Sequence, residues 1–178
     1  MEHKAEAVAS YNFNASDKLL LDTNIWLFVY GPQKPGDKRV AVYSEALAKI
    51  LAAQSHIYID VLIVSEFINT YARLKWKLLP APPAEFKQFR KSDDFKPIAQ
   101  GIAADVKRVL KHCTRVDSGF ESSAIDRLID DYAAGDSDFN DQVLTSLCKE
   151  TGLKLLTDDG DFKGQGICVI SANKRLLA

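Results

Sequence analysis

The sequence predicts an α/β domain built around a mostly parallel, buried β-sheet. Two patterns predict this class: short apolar runs without polar alternation, typical of strands covered on both faces, and longer intervening stretches with apolar residues at helical spacing. The chain has 178 residues, 47% of them apolar, which suffices for one domain with a substantial core. We therefore predict one domain over residues 1–178.

Short apolar runs that end at a polar residue are predicted to be strands. They span residues 19–21, 56–59, 153–156 and 167–170. Residues 113–116 could form another strand.

Helical periodicity predicts the elements between the strands. The predicted helices span residues 39–53, 60–77, 121–132 and 140–150. Gly152 is a suitable C-terminal cap for the last of them. Residues 84–111 are predicted as a further helical stretch that Pro97 and Gly101 could interrupt.

Composition argues against several classes of protein. No apolar run reaches the roughly 18 residues of a membrane span, and the N-terminal residues lack the apolar stretch of a secretory signal. The three cysteines are far apart and show no CxxC spacing, so they predict neither a zinc site nor a redox pair. We expect a soluble, cytoplasmic protein that does not bind a membrane.

The net charge of −1 hides an uneven distribution along the chain. Residues 117–161 contain twelve acidic residues against three basic ones, whereas residues 73–96 contain seven basic residues against three acidic ones. A cation site beside an anion-binding flank is consistent with both segments.

Acidic residues follow two of the predicted strands directly. Asp22 ends the run at residues 19–21, and Asp158 and Asp159 follow the run at residues 153–156. Ligands of an open α/β sheet bind outside the carboxyl ends of its strands. A carboxylate at the edge of an apolar core is costly unless a positive charge balances it, and no Lys or Arg is adjacent to Asp22, Asp158 or Asp159 in the sequence. A metal ion would supply that charge.

Two further carboxylates, Glu66 and Asp141, lie on predicted helices that could bring them to the same edge. Convergent carboxylates without histidine suit Mg²⁺ or Mn²⁺, which prefer hard oxygen ligands and retain several waters. Such a site can activate a water and stabilise the leaving oxygen in phosphodiester cleavage, especially when two ions lie about 3.5–4 Å apart.

Four segments carry a resemblance to a known family. They are LLDTN at residues 20–24, SEF at 65–67, NDQVLTSL at 140–147 and LLTDDGDF at 155–162. In this order and spacing they resemble PIN domains and look most like the VapC-like toxins of bacterial and archaeal toxin–antitoxin pairs. The resemblance covers about residues 18–170.

The resemblance implies a three-layer α/β/α sandwich, a Mg²⁺ or Mn²⁺ cofactor and endonucleolytic cleavage of RNA. The chain would then be a ribonuclease and the toxin of a toxin–antitoxin pair, with an antitoxin partner and a homodimer as expected assemblies. It implies catalytic and metal-binding roles for Asp22, Glu66, Asp141 and Asp159. It implies that Asn24 and Thr157 help to organise the pocket.

Two features depart from compact members of that family. A helical insertion at about residues 78–111 is longer, and the fourth motif offers Asp158, Asp159 and Asp161 as candidates for the fourth acid. We regard Asp138 and Asp161 as candidates for supporting residues of the metal site. Asp138 lies three residues before Asp141.

Each acidic candidate has an ordinary structural alternative. Asp22 could cap a helix that begins near residue 24. Glu66 could pair with Arg73 or Lys75, although their spacing differs from the favourable three or four residues. Helix starts and turns would account for Asp138, Asp141 and Asp161.

The basic segment supplies weaker candidates for RNA binding, namely Arg73, Lys75 and Lys77. Aromatic residues interleave with these bases and could stack on single-stranded RNA. The alternative is that the aromatic residues belong to the core and the basic side chains are solvated.

Other functions remain open at this point. A PIN-like module could bind RNA or protein without cleaving it. A haloacid-dehalogenase-type phosphatase also begins with an Asp at a strand end, but it requires a second Asp where this chain has Asn24. No glycine-rich turn follows a strand in the pattern of a Rossmann or Walker loop.

Overall fold

A computed structural model of the protein describes residues 5–121, 125–135 and 138–178. In this part of the chain six strands form one parallel sheet in the order β1-β6-β5-β2-β3-β4. The strands are β1 (Glu6–Ala7), β2 (Lys18–Leu21), β3 (His56–Ile59), β4 (Cys113–Arg115), β5 (Lys154–Leu156) and β6 (Val169–Ser171).

Eight helices are present among the described residues. They are α1 (Thr23–Tyr30), α2 (Lys38–Ala52), α3 (Val61–Lys77), α4 (Phe86–Phe89), α5 (Phe95–Lys111), α6 (Ile125–Ala133), α7 (Phe139–Thr151) and α8 (Lys174–Leu177). A single 3₁₀ turn, Gly160–Phe162, follows β5.

The strand order reverses at β2, and this reversal positions the site. From β2 the chain proceeds to β3 and β4 on one side, and then returns to β5 and β6 on the other side. Right-handed connections that run in opposite directions across a sheet place their helices on opposite faces. The result is the predicted three-layer α/β/α sandwich, with a topological switch point between the carboxyl ends of β2 and β5.

The sheet is buried at its centre because β2 is apolar on both faces. Leu19, Leu20 and Leu21 are 0% exposed, which accounts for the run of three leucines without polar alternation. Burying each of these side chains contributes about 1.5–3 kcal/mol. The central strand therefore provides a rigid support for the residue that follows it.

The predicted strands are confirmed, including the one at residues 113–116, with bounds that differ by one or two residues. The edge strand β1 was not predicted because it contains only two residues. The helices predicted at residues 39–53, 60–77 and 140–150 are confirmed as α2, α3 and α7. The predicted helix at 121–132 corresponds to α6, although residues 122–124 lie outside the described residues.

The proposed interruptions at Pro97 and Gly101 were wrong, because both residues lie inside α5. Pro97 is the third residue of that helix, where a backbone N–H has no partner within the helix, so its absence costs little. The break instead falls between α4 and α5, at residues 90–94.

The aromatic residues of the basic segment pack on one another. Ring centroids lie 5.6 Å apart for Trp76 and Phe86, 6.0 Å for Phe86 and Phe89, and 5.2 Å for Phe89 and Phe95. Phe89 is fully buried, so it offers no surface on which RNA bases could stack. The packing alternative therefore holds for Phe89, whereas Trp76, Phe86 and Phe95 are half-buried.

The three cysteines are free thiols. Among the described helices, none is both long and apolar enough to cross a membrane.

Candidate metal centre

Asp22 lies at the switch point because it directly follows the buried strand β2. Its backbone N–H donates to the carbonyl of Leu156 in the neighbouring strand over 3.0 Å. Oδ1 accepts from the backbone N–H of Thr23 at 2.6 Å and caps α1. Oδ2 accepts from the hydroxyl of Thr157 at 2.6 Å and from the amide of Asn24. The capping alternative and the pocket position are therefore both realised.

Asn24 and Thr157 connect the start of α1 to the end of β5. The amide nitrogen of Asn24 donates to the Thr157 hydroxyl at 3.1 Å, and its amide oxygen accepts from the backbone N–H of Asp158 at 3.1 Å. The Thr157 hydroxyl also accepts from the backbone N–H of Asp159 at 3.0 Å. This network fixes the orientation of the Asp22 carboxylate relative to the loop that carries Asp159.

Glu66 reaches the same region from α3. Its Oε2 accepts from the hydroxyl of Thr23 at 3.1 Å. The alternative ion pair of Glu66 with Arg73 or Lys75 does not form between these described side chains. Instead, the guanidinium of Arg73 lies 4.7 Å from the Phe86 ring centroid, and the Lys75 ammonium lies 5.8 Å from the Tyr71 ring centroid.

Asp138 and Asp141 occupy the start of α7. The carboxylate of Asp138 caps this helix by accepting from the backbone N–H of Asn140 at 2.9 Å. Asp141 lies in the first helical turn and is half-buried. The helix-start alternative therefore holds for Asp138, and the first-turn position of Asp141 also fits it, while the charges of neighbouring acids act on Asp141.

The three aspartates that follow β5 have different surroundings. Asp158 accepts a hydrogen bond from Tyr43 at 2.7 Å and lies 3.4 Å from a guanidinium nitrogen of Arg39. Asp161 is exposed, and its backbone N–H donates to the Asp159 carboxylate at 3.0 Å. Of the three, it is Asp159 whose negative charge acts on Asp22, Glu66 and Asp141.

Burial and mutual repulsion raise the pKa values of three pocket carboxyls, those of Asp22, Glu66 and Asp141. Burial raises the pKa of Asp22 to about 6 and outweighs the hydrogen bonds from Thr157 and Thr23, which lower it, while the charges of Glu66 and Asp159 raise it further. Burial likewise raises the pKa of Asp141 to about 7, and the charges of Asp22, Asp159, Asp138 and Glu66 add to the effect.

The pKa of Glu66 is also raised, first by burial and then by Asp138 and Asp159, against the hydrogen bond from Thr23. Perturbed carboxylates gathered at a switch point are a common property of functional sites. Five acidic side chains therefore share one electrostatic environment: Asp22, Glu66, Asp138, Asp141 and Asp159.

The donor set is chemically suited to a hard divalent cation. Within the described part of the chain, Asp22, Glu66, Asp141 and Asp159 form no ion pair. Across residues 5–121, 125–135 and 138–178, no group of three or more His, Cys, Asp or Glu side chains is arranged so that it could hold a metal ion without rearrangement. Mg²⁺ and Mn²⁺ usually take only a few carboxylates and complete their shell with water and substrate oxygens, so a loosely gathered acidic pocket still fits them.

Two residues that contact the site were not found from the sequence. Thr23 is buried and links Asp22 to Glu66 through its backbone N–H and its hydroxyl. Tyr43 is fully buried, and its hydroxyl donates to Asp158 and accepts from the backbone N–H of Ala172 at 3.0 Å. For Thr23, the only sequence signal for this linking role is its position beside Asp22. For Tyr43, no feature of the neighbouring sequence indicates a contact with the site.

Comparison with known proteins shows one family and one fold. The family model described as the PIN domain matches residues 19–166. Among solved structures, a chain of the crystal structure of VapBC2 from Rickettsia felis bound to a DNA fragment from their promoter is similar, with 16% sequence identity and a TM-score of 0.55. The match covers 86% of this chain and 98% of that chain. No curated protein matches the sequence significantly.

Proposed function

This chain belongs to the PIN-domain family, whose members are generally nucleases, and from that premise we propose that it is a divalent-metal-dependent endoribonuclease acting in the cytoplasm. The observation that carries the proposal is the gathering of Asp22, Glu66, Asp141 and Asp159 from four separate parts of the fold around one switch point. Fold alone would not support an activity, because related folds host different functions.

In the proposed mechanism, Asp22, Glu66, Asp141 and Asp159 would hold Mg²⁺ or Mn²⁺. When bound, such an ion activates water and stabilises negative charge on the phosphodiester oxygens. The cation would also offset the burial and the mutual repulsion that raise the pKa values of Asp22 and Asp141.

The remaining residues of the site would keep the carboxylates in place. Thr157 and Asn24 orient Asp22 through hydrogen bonds to Oδ2, and Thr23 orients Glu66. Asp138 would support the site by adding negative charge beside Asp141 while it caps α7. Asp161 would support it through the backbone hydrogen bond that fixes the Asp159 carboxylate.

We further propose that the protein is the toxin of a toxin–antitoxin pair. The support is the likeness of its fold to a chain of VapBC2, together with the acidic pocket. An antitoxin would then neutralise the nuclease by covering the pocket, and a homodimer is part of the same proposal. Arg73, Lys75 and Lys77 remain weaker candidates for RNA contacts, because Arg73 and Lys75 are already stacked on aromatic rings.

Incubation of the purified protein with a mixed RNA pool tests the proposed activity. We expect cleavage with Mn²⁺ or Mg²⁺, no cleavage with a chelator, and loss of cleavage in Asp22→Asn, which removes a ligand charge with little change in volume. Asp126→Asn removes the same charge from the exposed face of α6 and should cleave normally. RNA that is bound but left intact under every metal condition would identify the non-cleaving module instead.

A further inference from the structure

An arginine from the last helix lies against the turn that carries Asp159. A Cβ atom placed on Gly160 would be 3.2 Å from Cζ of Arg175 and 3.3 Å from both Nε and Nη1. The backbone of Gly160 is not in the left-handed region that requires glycine. The missing side chain at Gly160 therefore leaves room for the guanidinium of Arg175.

The backbone around Arg175 is fixed to the same loop as the acidic pocket. The side-chain oxygen of Asn173 accepts from the backbone N–H of Arg175 at 3.0 Å, while its amide donates to the carbonyl of Asp158 at 2.6 Å. Leu176, the next residue, is buried in the core. These contacts hold Arg175 against the turn at Gly160, the residue that follows Asp159.

The guanidinium of Arg175 is not neutralised by an acidic partner among the described residues. Arg175 is exposed, and its guanidinium makes no ion pair or hydrogen bond with any of the residues that the structure describes. Arg39 differs because it pairs with Asp37 at 2.7 Å and approaches Asp158. Arg175 thus presents a rigid fork of donors that suits phosphate oxygens.

We infer that Arg175 binds a backbone phosphate of single-stranded RNA next to the phosphate that is cleaved. This inference rests on the proposed function and names a contact that positions the substrate. The acidic pocket repels RNA, so a neighbouring cation is needed to hold the strand across it. Arg175 is better placed for this contact than Arg73, which lies over Phe86.

RNA binding in an Asp22→Asn background measures this contact without cleavage. We expect Arg175→Ala to weaken binding of a short single-stranded RNA about tenfold, because it removes a charge-assisted phosphate contact. The slope of log affinity against log salt should fall by about 0.7, the value for one phosphate contact on a single strand. Arg175→Lys should keep the salt slope while losing part of the affinity.

The matched control is Arg108→Ala. Arg108 pairs with Asp105 near the end of α5, which leads to the amino end of β4, at the opposite edge of the sheet. Its removal should leave RNA affinity and salt slope unchanged. Gly160→Ala should weaken binding less than Arg175→Ala does, since the added Cβ shifts the guanidinium by only a few tenths of an ångström.

Cleavage kinetics in the otherwise unaltered protein separate this inference from the proposed function. Arg175→Ala should raise KM for RNA and leave kcat and the Mn²⁺ requirement close to those of the unaltered protein. Unchanged RNA affinity and KM in Arg175→Ala would overturn the inference. Tighter Mn²⁺ binding without weaker RNA binding would also overturn it, because Arg175 would then only balance the charge of the acidic pocket. An unaltered protein that never cleaves RNA would overturn the proposed function, while the binding assay still decides the role of Arg175.

Discussion

At the residue scale, the two carboxylate oxygens of Asp22 contact different parts of the structure. Oδ1 caps α1, whereas Oδ2 accepts from Thr157 and Asn24 at the pocket. The side chain is only 6% exposed and has no basic partner among the described residues. Its ionised form is therefore stabilised by neutral donors alone, which leaves a role for a cation.

Thr157→Val tests whether these neutral donors organise the site. Thr157 is 0% exposed, and valine keeps its shape while removing the hydroxyl that donates to Asp22 and accepts from Asp159. We expect the Mn²⁺ concentration for half-maximal cleavage to rise about 10- to 100-fold, the range seen when ligand-orienting partners are lost. Thr157→Ser should restore most of the affinity. An unchanged Mn²⁺ requirement in Thr157→Val would show that the hydroxyl does not orient the ligands.

The sequence predicts the set of acids better than it predicts their partners. Strand-end position identifies Asp22 and the aspartates after β5, because a parallel sheet brings such residues to one edge. The choice among the aspartates after β5 depends on Tyr43 and Arg39, which are more than a hundred residues away in the chain and engage Asp158. Contacts across such separations have no local signature in one sequence.

At the element scale, α2 holds the loop after β5 in place. Tyr43 stacks on Phe28, with ring centroids 5.4 Å apart and an angle of 9° between the planes, and its hydroxyl connects Asp158 to Ala172. The contact links α1, α2, the end of β5 and the residue after β6. The position of Asp159 therefore depends on elements that contribute no carboxylate to the pocket.

Tyr43→Phe measures how far this contact positions the loop. The change keeps the aromatic ring but leaves the N–H of Ala172 and one oxygen of Asp158 without their partner, at a cost of about 1–3 kcal/mol. We expect weaker Mn²⁺ binding together with a lower free energy of unfolding. Tyr58→Phe, at a half-buried tyrosine of β3 whose hydroxyl has no hydrogen-bond partner in the described residues, should change neither. Equal Mn²⁺ affinities for Tyr43→Phe and the unaltered protein would remove the positioning role.

A second element-scale contact lies at the amino end of the sheet. Asp17 is 2% exposed and accepts from the ammonium of Lys154 at 2.8 Å and from the hydroxyl of Tyr11 at 2.9 Å. Burial alone would raise the pKa of Asp17, but the hydrogen bonds from Lys154, the backbone of Asn14 and Tyr11 lower it on balance. The loop before β2 is thereby tied to the start of β5.

Asp17→Asn should make the protein less stable near neutral pH and have little effect in acid. Because the folded pKa lies below the ordinary value of 3.8, the stabilisation is fully present above that value and is lost as pH falls through the folded one. We expect a loss of about 2 kcal/mol at neutral pH, reduced from the cost in a fully buried pair because Lys154 is partly exposed. Denaturant unfolding across pH checks this, with Asp126→Asn as the control. A loss that stays constant into acid would contradict the ion-pair explanation.

Helix and strand positions were predictable where the apolar pattern is strong. Two exceptions, β1 and α8, are too short to show an apolar pattern. A third is Pro97, whose effect depends on its position in the first turn of α5. Proline is a helix breaker only beyond that turn, so the helix boundary decides its effect. The boundary itself follows from packing that the local sequence does not show.

At the scale of the whole molecule, the strand order explains the uneven charge along the chain. The acidic stretch at residues 117–161 leads from β4 across the sheet to β5, and it delivers Asp141 and Asp159 to the edge where Asp22 already lies. Arg175, against the turn after Asp159, would then hold an anionic strand over an acidic pocket. We retain as a proposal that residues 1–178 form one domain with a helical insertion at 78–111.

The central claim is that Asp22, Glu66, Asp141 and Asp159 together hold a divalent cation. Anomalous scattering from crystals grown with saturating Mn²⁺ measures this directly, because it locates the ion without reference to activity. We expect an anomalous peak within coordination distance of Asp22 and at least one of the other three carboxylates, and no such peak in Asp22→Asn. A peak elsewhere with this pocket empty, or an unchanged peak in Asp22→Asn, would contradict it.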